Sequence, residues 1–260
     1  MFDDSDQYFS KTIEKGLTIL CLFDRDHTRR SLGEISQLSG INKTSTFRFV
    51  NTLVKLGYLK KNNNNKLLKL GPKALLLGNN FIQGFDLLQA VKPLIDKTFI
   101  EHKITIDSAL LDDLTLLSLY RKEAPNIIHF RLPLVMQELH ARAMGKAVLA
   151  QFNEAQLVRF FENVPMKKLT PNTLDKKEDL LRELKLTKNR GYSFNNEEYI
   201  TGLICMGAPL MNYQTNAVVG AISFDFPSAE YSLSLIERNY TGILTKLAGD
   251  ISEMITSAEN

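Results

Sequence analysis

Apolar residues return every three or four positions along the first third of the chain. Ile13, Leu17, Leu20 and Cys21 recur at helical spacing and predict a helix over residues 11–23. The polar stretch DRDHTRR interrupts it. Ser31 followed by Glu34 has the form of a capping box and starts a second helix that buries Ile35 and Leu38. Ser39-Gly40-Ile41-Asn42 predicts a turn in which Gly40 takes a positive φ at no steric cost. Asn42 suits the N-cap of a third helix with Phe47, Val50, Leu53 and Val54 on one face, and Gly57 ends it. Small Ser36 and inward Thr46 fall where the two helices must approach closely. The pattern then shortens. Tyr58–Lys61 and Lys66–Leu70 flank four asparagines, which predicts a β-hairpin with an Asn-rich turn. Two short helices joined by a glycine turn, with a hairpin after the second, describe a winged helix-turn-helix.

Gly71-Pro72 punctuates the chain. Leu77, Phe81, Phe85, Leu88 and Val91 then form one apolar stripe, weakened by Gly78 and Gly84. This predicts a linker helix whose stripe pairs with another subunit or packs on its own domain. A helical pattern continues to about residue 102, and short β-type runs follow at 105–110, 114–121 and 127–132. Residues 142–150 read as a loop entering a helix. Helices near 154–163 and 175–190 come next, then a strand region opening at Gly191-Tyr192-Ser193-Phe194. Apolar strands at 204–210 and 217–224 flank the turn 212–216, and a helix over 232–257 closes the chain. The order of elements predicts an α+β protein with a mostly antiparallel sheet. The expected division is a DNA-binding domain over 9–72, a linker helix over 73–90 and a mixed α/β domain over 91–260.

Charge sharpens this picture. Residues 11–73 carry 13 Lys/Arg against four Asp/Glu, a net of +9, although the whole chain is only +3. A local excess of cations suits a phosphate backbone. In a helix-turn-helix the second helix enters the major groove by its N-terminal residues, here Lys43, Thr44, Ser45, Phe47 and Arg48. The hydroxyls suit phosphate, and Arg48 suits a bidentate contact to guanine. The alternative for Thr44 and Ser45 is simple helix-start chemistry. Lys60, Lys61 and Lys66 on the hairpin are placed to reach phosphate. Cys21 and Cys205 lack metal-ligand or disulfide spacing, and no cofactor is indicated. No apolar run approaches a bilayer span, and the acidic N-terminus does not have the form of a signal peptide, so a cytoplasmic location is expected.

The segments KTIEKGLTIL, LGEISQLSGINKTSTFRFVNTLVKLGYL and LLKLGPKALLLG together resemble the IclR family of bacterial transcription regulators. LHARAMGKAVLA, RGYSFNNEEYITGLICMGAPL and AVVGAISF resemble the same family's second half, in the same order. The resemblance covers nearly the whole chain. It implies a winged helix-turn-helix, a linker helix and a GAF-like effector-binding domain. It also implies homodimers, often assembling to tetramers, that bind operator DNA and answer to a small molecule. It places Ala143, Met144 and Gly145 at the effector, with backbone N–H groups suited to a carboxylate, beside Leu203, Cys205 and Ser223. Asn195 stands where the family often has Asp, Asp225 where a second Ser is common, and Arg142 where Thr or Ser is frequent. An inward Asp225 would repel a carboxylate unless protonated or paired with Arg142, which points to an effector bearing hydroxyls or an amine beside any acid group, as sugar acids do. An outward Asp225 remains the alternative. His140 falls in the same segment, as a structural hydrogen bonder or a ligand contact.

Two other functions compete. One is an enzyme with a DNA-binding-like appendage, but no nucleophile elbow, P-loop or zinc signature is present. The other is an RNA-binding winged helix, which lacks the aromatic pairs that stack bases.

Overall fold

The computed structural model describes residues 8–24, 26–84, 86–125 and 133–258. Its contacts divide the chain into two units, one ending at Phe85 and one beginning at Asp86.

The first unit opens with α1 (Lys11–Cys21), α2 (Leu32–Ser39) and α3 (Lys43–Leu56). Ser31 and Glu34 form the expected reciprocal capping box. Gly40 turns the chain at φ +68°, and the Asn42 side chain accepts the Ser45 N–H. Thr46 is buried and its hydroxyl lies 3.1 Å and 3.0 Å from the carbonyls of Ile41 and Asn42. Ser36 donates to the same Ile41 carbonyl, so two small polar side chains fasten the turn between the helices.

The helix faces differ in detail from the sequence pattern. Ile19, Ile35 and Val50 form the core with Phe23, Ile41, Leu59 and Leu68, and Phe49 packs against it. Ile13, Leu17, Leu38 and Phe47 are exposed instead. In α1 the expected Leu20 packs against this core beside Ile19, whereas Ile13 and Leu17 do not. Apolar spacing cannot tell a core stripe from an exposed one.

A hairpin of β1 (Leu59–Lys61) and β2 (Leu68–Leu70) follows. Its turn is built by Asn62, whose side chain accepts the N–H groups of Asn64 and Asn65. The left-handed position falls on Lys66, at φ +59°, not on an asparagine. Arg30 bridges to Leu68 and ties its Nε to the Leu22 carbonyl, so this cation braces the fold. Helix α4 (Lys73–Gly84) closes the unit. Leu77 on it is exposed; the side chains of Phe81 and Phe85 lie outside the described residues.

The second unit starts with α5 (Asp86–His102). A six-stranded sheet follows, built from β3 (Thr105–Asp112), β4 (Thr115–Lys122), β5 (Val135–Met136), β6 (Ser193–Asn196), β7 (Leu203–Asn212) and β8 (Ala217–Pro227). Its order is β5-β4-β3-β8-β7-β6 and every pairing is antiparallel. The strand expected at 127–132 lies outside the described residues. The two-residue β5 was not anticipated, being too short to show alternation.

Helices α6 (Ala143–Leu149), α7 (Glu154–Asn163) and α8 (Lys177–Arg190) lie between β5 and β6 in sequence, and α9 (Leu233–Ala258) ends the unit. Phe226 of β8 packs on Tyr240 of α9, which puts α9 on the face bearing Phe226 and its cross-strand partner Ile204. The opposite face meets α6 at Gly207, where an added Cβ would stand 2.7–2.9 Å from the backbone of Ala143 and Met144. Only glycine lets the helix start lie directly on the strand. Strand β6 pairs with Ile204–Gly207 alone, so among the described residues no strand flanks that edge of β7 beyond Gly207. Pro209 occupies this stretch, and the Met211 N–H is taken by Ser252 Oγ on α9.

Candidate functional site

Strand alternation assembles a polar face beneath α6. One cross-strand row runs Arg121, Asp107, Ser223, Gly207, Ser193; the next runs Thr105, Asp225, Cys205, Asn195. With Arg142, Ala143, Met144, Tyr199 and Leu203, members of these rows line a cavity of about 20 Å³. Seven of the eight residues expected at the effector line it: Ala143, Met144, Asn195, Leu203, Cys205, Ser223 and Asp225. Gly145 does not. A Cβ there would stand 2.2 Å from the Leu139 carbonyl, so Gly145 serves close packing of α6 on the turn Leu139–Ala141.

Asp225 is inward and 4% exposed, which removes the outward alternative. Its cationic partner is Arg121 at 3.4 Å, not Arg142 as the sequence suggested. The same guanidinium nitrogen of Arg121 also binds Asp107, which the sequence reading passed over. The signal existed: in the apolar run TIDSALL, strand alternation places Asp107 on one face with Thr105. Burial, then the charge of Asp225, pushes the Asp107 carboxyl well above the usual carboxylate range, against the opposing pull of Arg121. The Cys205 thiol is also pushed up, first by burial and then by Asp225, so it stays protonated and is a wall residue, not a nucleophile.

Two buried atoms at this cavity lack hydrogen-bond partners, Asp107 Oδ1 and Arg142 Nε. The Arg142 guanidinium stacks 3.6 Å from the Tyr199 ring centre and reaches Glu138 at 3.4 Å. Asn195 is already engaged: its Oδ1 accepts the Glu198 N–H at 2.7 Å, shaping the turn that carries Tyr199. Behind the cavity Lys146 and Glu198 form a buried ion pair at 2.6 Å. His140 is fully buried, bonds the Lys167 carbonyl at 2.9 Å and does not line the cavity. That fits its structural role.

In the first unit the start of α3 presents Lys43, Thr44, Phe47 and Arg48 to solvent, with Ser45 half-buried at the cap. Lys60 and Lys61 are exposed on β1. Lys66 is exposed too, but its ammonium folds back to the Asn63 carbonyl at 2.7 Å. Among the described residues no group of three His, Cys, Asp or Glu could hold a metal ion, and no helix is long and apolar enough to cross a membrane.

Comparison with known proteins agrees with both halves. The IclR helix-turn-helix domain matches residues 12–63, and the C-terminal domain of IclR bacterial transcriptional regulators matches residues 79–253. The chain is 29% identical over 219 residues to the HTH-type transcriptional regulator XynR of Escherichia coli strain K12, covering 82% of this chain and 84% of that one. It is 27% identical over 201 residues to the transcriptional repressor IclR of the same strain, covering 76% and 73%. The fold matches the crystal structure of an IclR family regulator from Brucella abortus, with a TM-score of 0.82, 22% identity and coverage of 98% and 95%. It also matches an IclR homolog from Microbacterium hydrocarbonoxydans complexed with 4-hydroxybenzoate, with a TM-score of 0.77, 19% identity and coverage of 93% and 98%. The relatives by sequence are named as regulators of transcription, not as enzymes. With one unit built as the family's helix-turn-helix and the other as its C-terminal domain, the chain belongs to the IclR family of bacterial transcriptional regulators.

Proposed function

We propose that α3 reads an operator through Lys43, Thr44, Ser45, Phe47 and Arg48 while the hairpin lysines Lys60, Lys61 and Lys66 hold phosphate. An organic or sugar acid bound in the second unit modulates this binding. The protein acts in the cytoplasm as a homodimer, with tetramers as a further assembly, and residues 73–90 serve as the linker. The observation that carries the effector reading is the convergence of seven residues from four separated segments on one small cavity. At about 20 Å³ the cavity admits about one water, so an effector gains room only as lining side chains move. A ligand that binds the opened form better than the closed one shifts the balance between them, which is what regulation requires.

The test is a titration of the full chain on the duplex upstream of its own gene, against a scrambled duplex at the same salt. Selective binding that an organic acid strengthens or releases supports the reading. Binding equal on both duplexes, with and without acids, sinks it. Arg48→Ala is expected to weaken specific binding by about 1–3 kcal/mol and to relax preference at one base pair. Unchanged base preference would remove Arg48 from the reading surface.

A further inference from the structure

The cavity contains an uncompensated pair of opposite character. Asp107 Oδ1 and Arg142 Nε are both buried, both without a hydrogen-bond partner, and carried by residues that line the same small space. Native proteins satisfy nearly all buried polar atoms, because each orphan costs its full desolvation penalty. Two at one cavity, on different elements, mark places where a ligand supplies the missing partners.

We infer that the effector is a hydroxy acid, its carboxylate taken by the Arg142 guanidinium and a hydroxyl bonded by Asp107. This rests on the reading that the effector binds in this cavity. Arg142 bears a permanent positive charge, and its Glu138 contact is long, at 3.4 Å. A carboxylate meeting the buried Nε makes a charge-assisted hydrogen bond. The other end of the ligand faces two acids. An amine would need free negative charge there, and Arg121, shared by Asp107 and Asp225, already offsets one of the two carboxylates. Burial also favours a proton on Asp107. What remains at Oδ1 is hydrogen-bonding capacity without net charge, which suits a hydroxyl. Ser223, whose hydroxyl lies 3.4 Å from Asp225 Oδ1, adds a neighbouring group for a second ligand hydroxyl.

The experiment is calorimetric titration of the full-length protein with three classes of acid of the same chain length. These are the stereoisomers of 2,3,4-trihydroxybutanoate, 2-oxobutanoate and butanoate. At least one hydroxy acid is expected to bind about 100-fold more tightly than butanoate, since a site built for a hydroxyl rejects the analogue without it. Asp107→Asn, which keeps the shape of the side chain, should cut that preference at least about tenfold. Arg142→Gln should weaken every acid that binds. Thermal melting of each variant checks that it folds. Asp107→Ser serves as the second variant if the first does not.

Equal binding of all three classes, lost in Arg142→Gln, would overturn the hydroxyl inference and leave the acid-binding cavity standing. Tighter binding of the hydroxy acid that Asp107→Asn leaves untouched would overturn the role of Asp107. No binding of any acid up to about 10 mM would overturn both this inference and the acid-effector reading beneath it.

Discussion

Gly207 shows how a single missing side chain sets the site. Its place in β7 lets the first residues of α6 rest on the sheet, and Ser193 on the neighbouring strand fastens them by donating to the Ala143 carbonyl at 2.6 Å. Gly207→Ala would force a Cβ into backbone, where nothing flexible can yield. It is expected to cost about 1–3 kcal/mol and to disturb ligand binding as well, measured by chemical denaturation and calorimetry. A neutral result would mean that α6 can lift off the strand. His140 gives a prediction of a different kind. Burial pushes its pKa below the ordinary histidine value, against the Lys167 carbonyl, so the folded state holds the imidazole neutral. As pH falls through the unfolded value of about 6.5, the unfolded chain binds the proton first and stability drops. Acidification from about pH 8 to about pH 5 should therefore destabilise the native protein more than His140→Gln. Parallel pH profiles for the two would show that His140 is not held neutral.

At the scale of elements, α3 depends on its start. Asn42 caps it, and the same turn receives Thr46 and Ser36. Asn42→Ala is expected to lower stability by about 1 kcal/mol and to weaken DNA binding, because the cap also orients the residues offered to the groove. Stability falling with DNA affinity intact would separate the cap from the interface. The capping box, Gly40 and Asn42 were legible in the sequence because capping is local chemistry between near neighbours. So was α7, expected near 154–163, where the structure adds an Asn153 cap. The faces of α1 and α2 were only half legible: Leu20 and Ile35 pack as expected, but Ile13, Leu17 and Leu38 satisfy helical periodicity as well as any core residue. Most cavity residues were legible through resemblance and the inward face of Asp107 through strand alternation, whereas the pairing of Asp107 and Asp225 with Arg121 was not. That pairing depends on register between strands β3, β4 and β8, which lie far apart in sequence, and register is a tertiary property.

For the molecule as a whole, each unit has a core of its own. The first is built around Ile19, Ile35 and Val50, and the second around residues such as Leu139, Phe160 and Leu180. A fragment spanning residues 86–260 is therefore expected to melt as one cooperative transition, followed by circular dichroism, and to keep the acid binding of the full chain. A fragment without a transition would mean that its core is incomplete without residues before Asp86. The basic surface goes with the first unit, so the isolated second unit should show no salt-dependent attraction for DNA.

The stretch of β7 beyond Gly207 bears on how safely the chain is made. β7 and β8 are apolar over most of their length, the composition that drives strand-to-strand aggregation when an edge is left open. Along the part of β7 that β6 does not cover, Pro209 has no N–H to offer and the Met211 N–H already belongs to Ser252. A stray strand from another molecule finds few donors to pair with there. The proline and the α9 serine act together as gatekeepers against strand pairing along this part of the sheet.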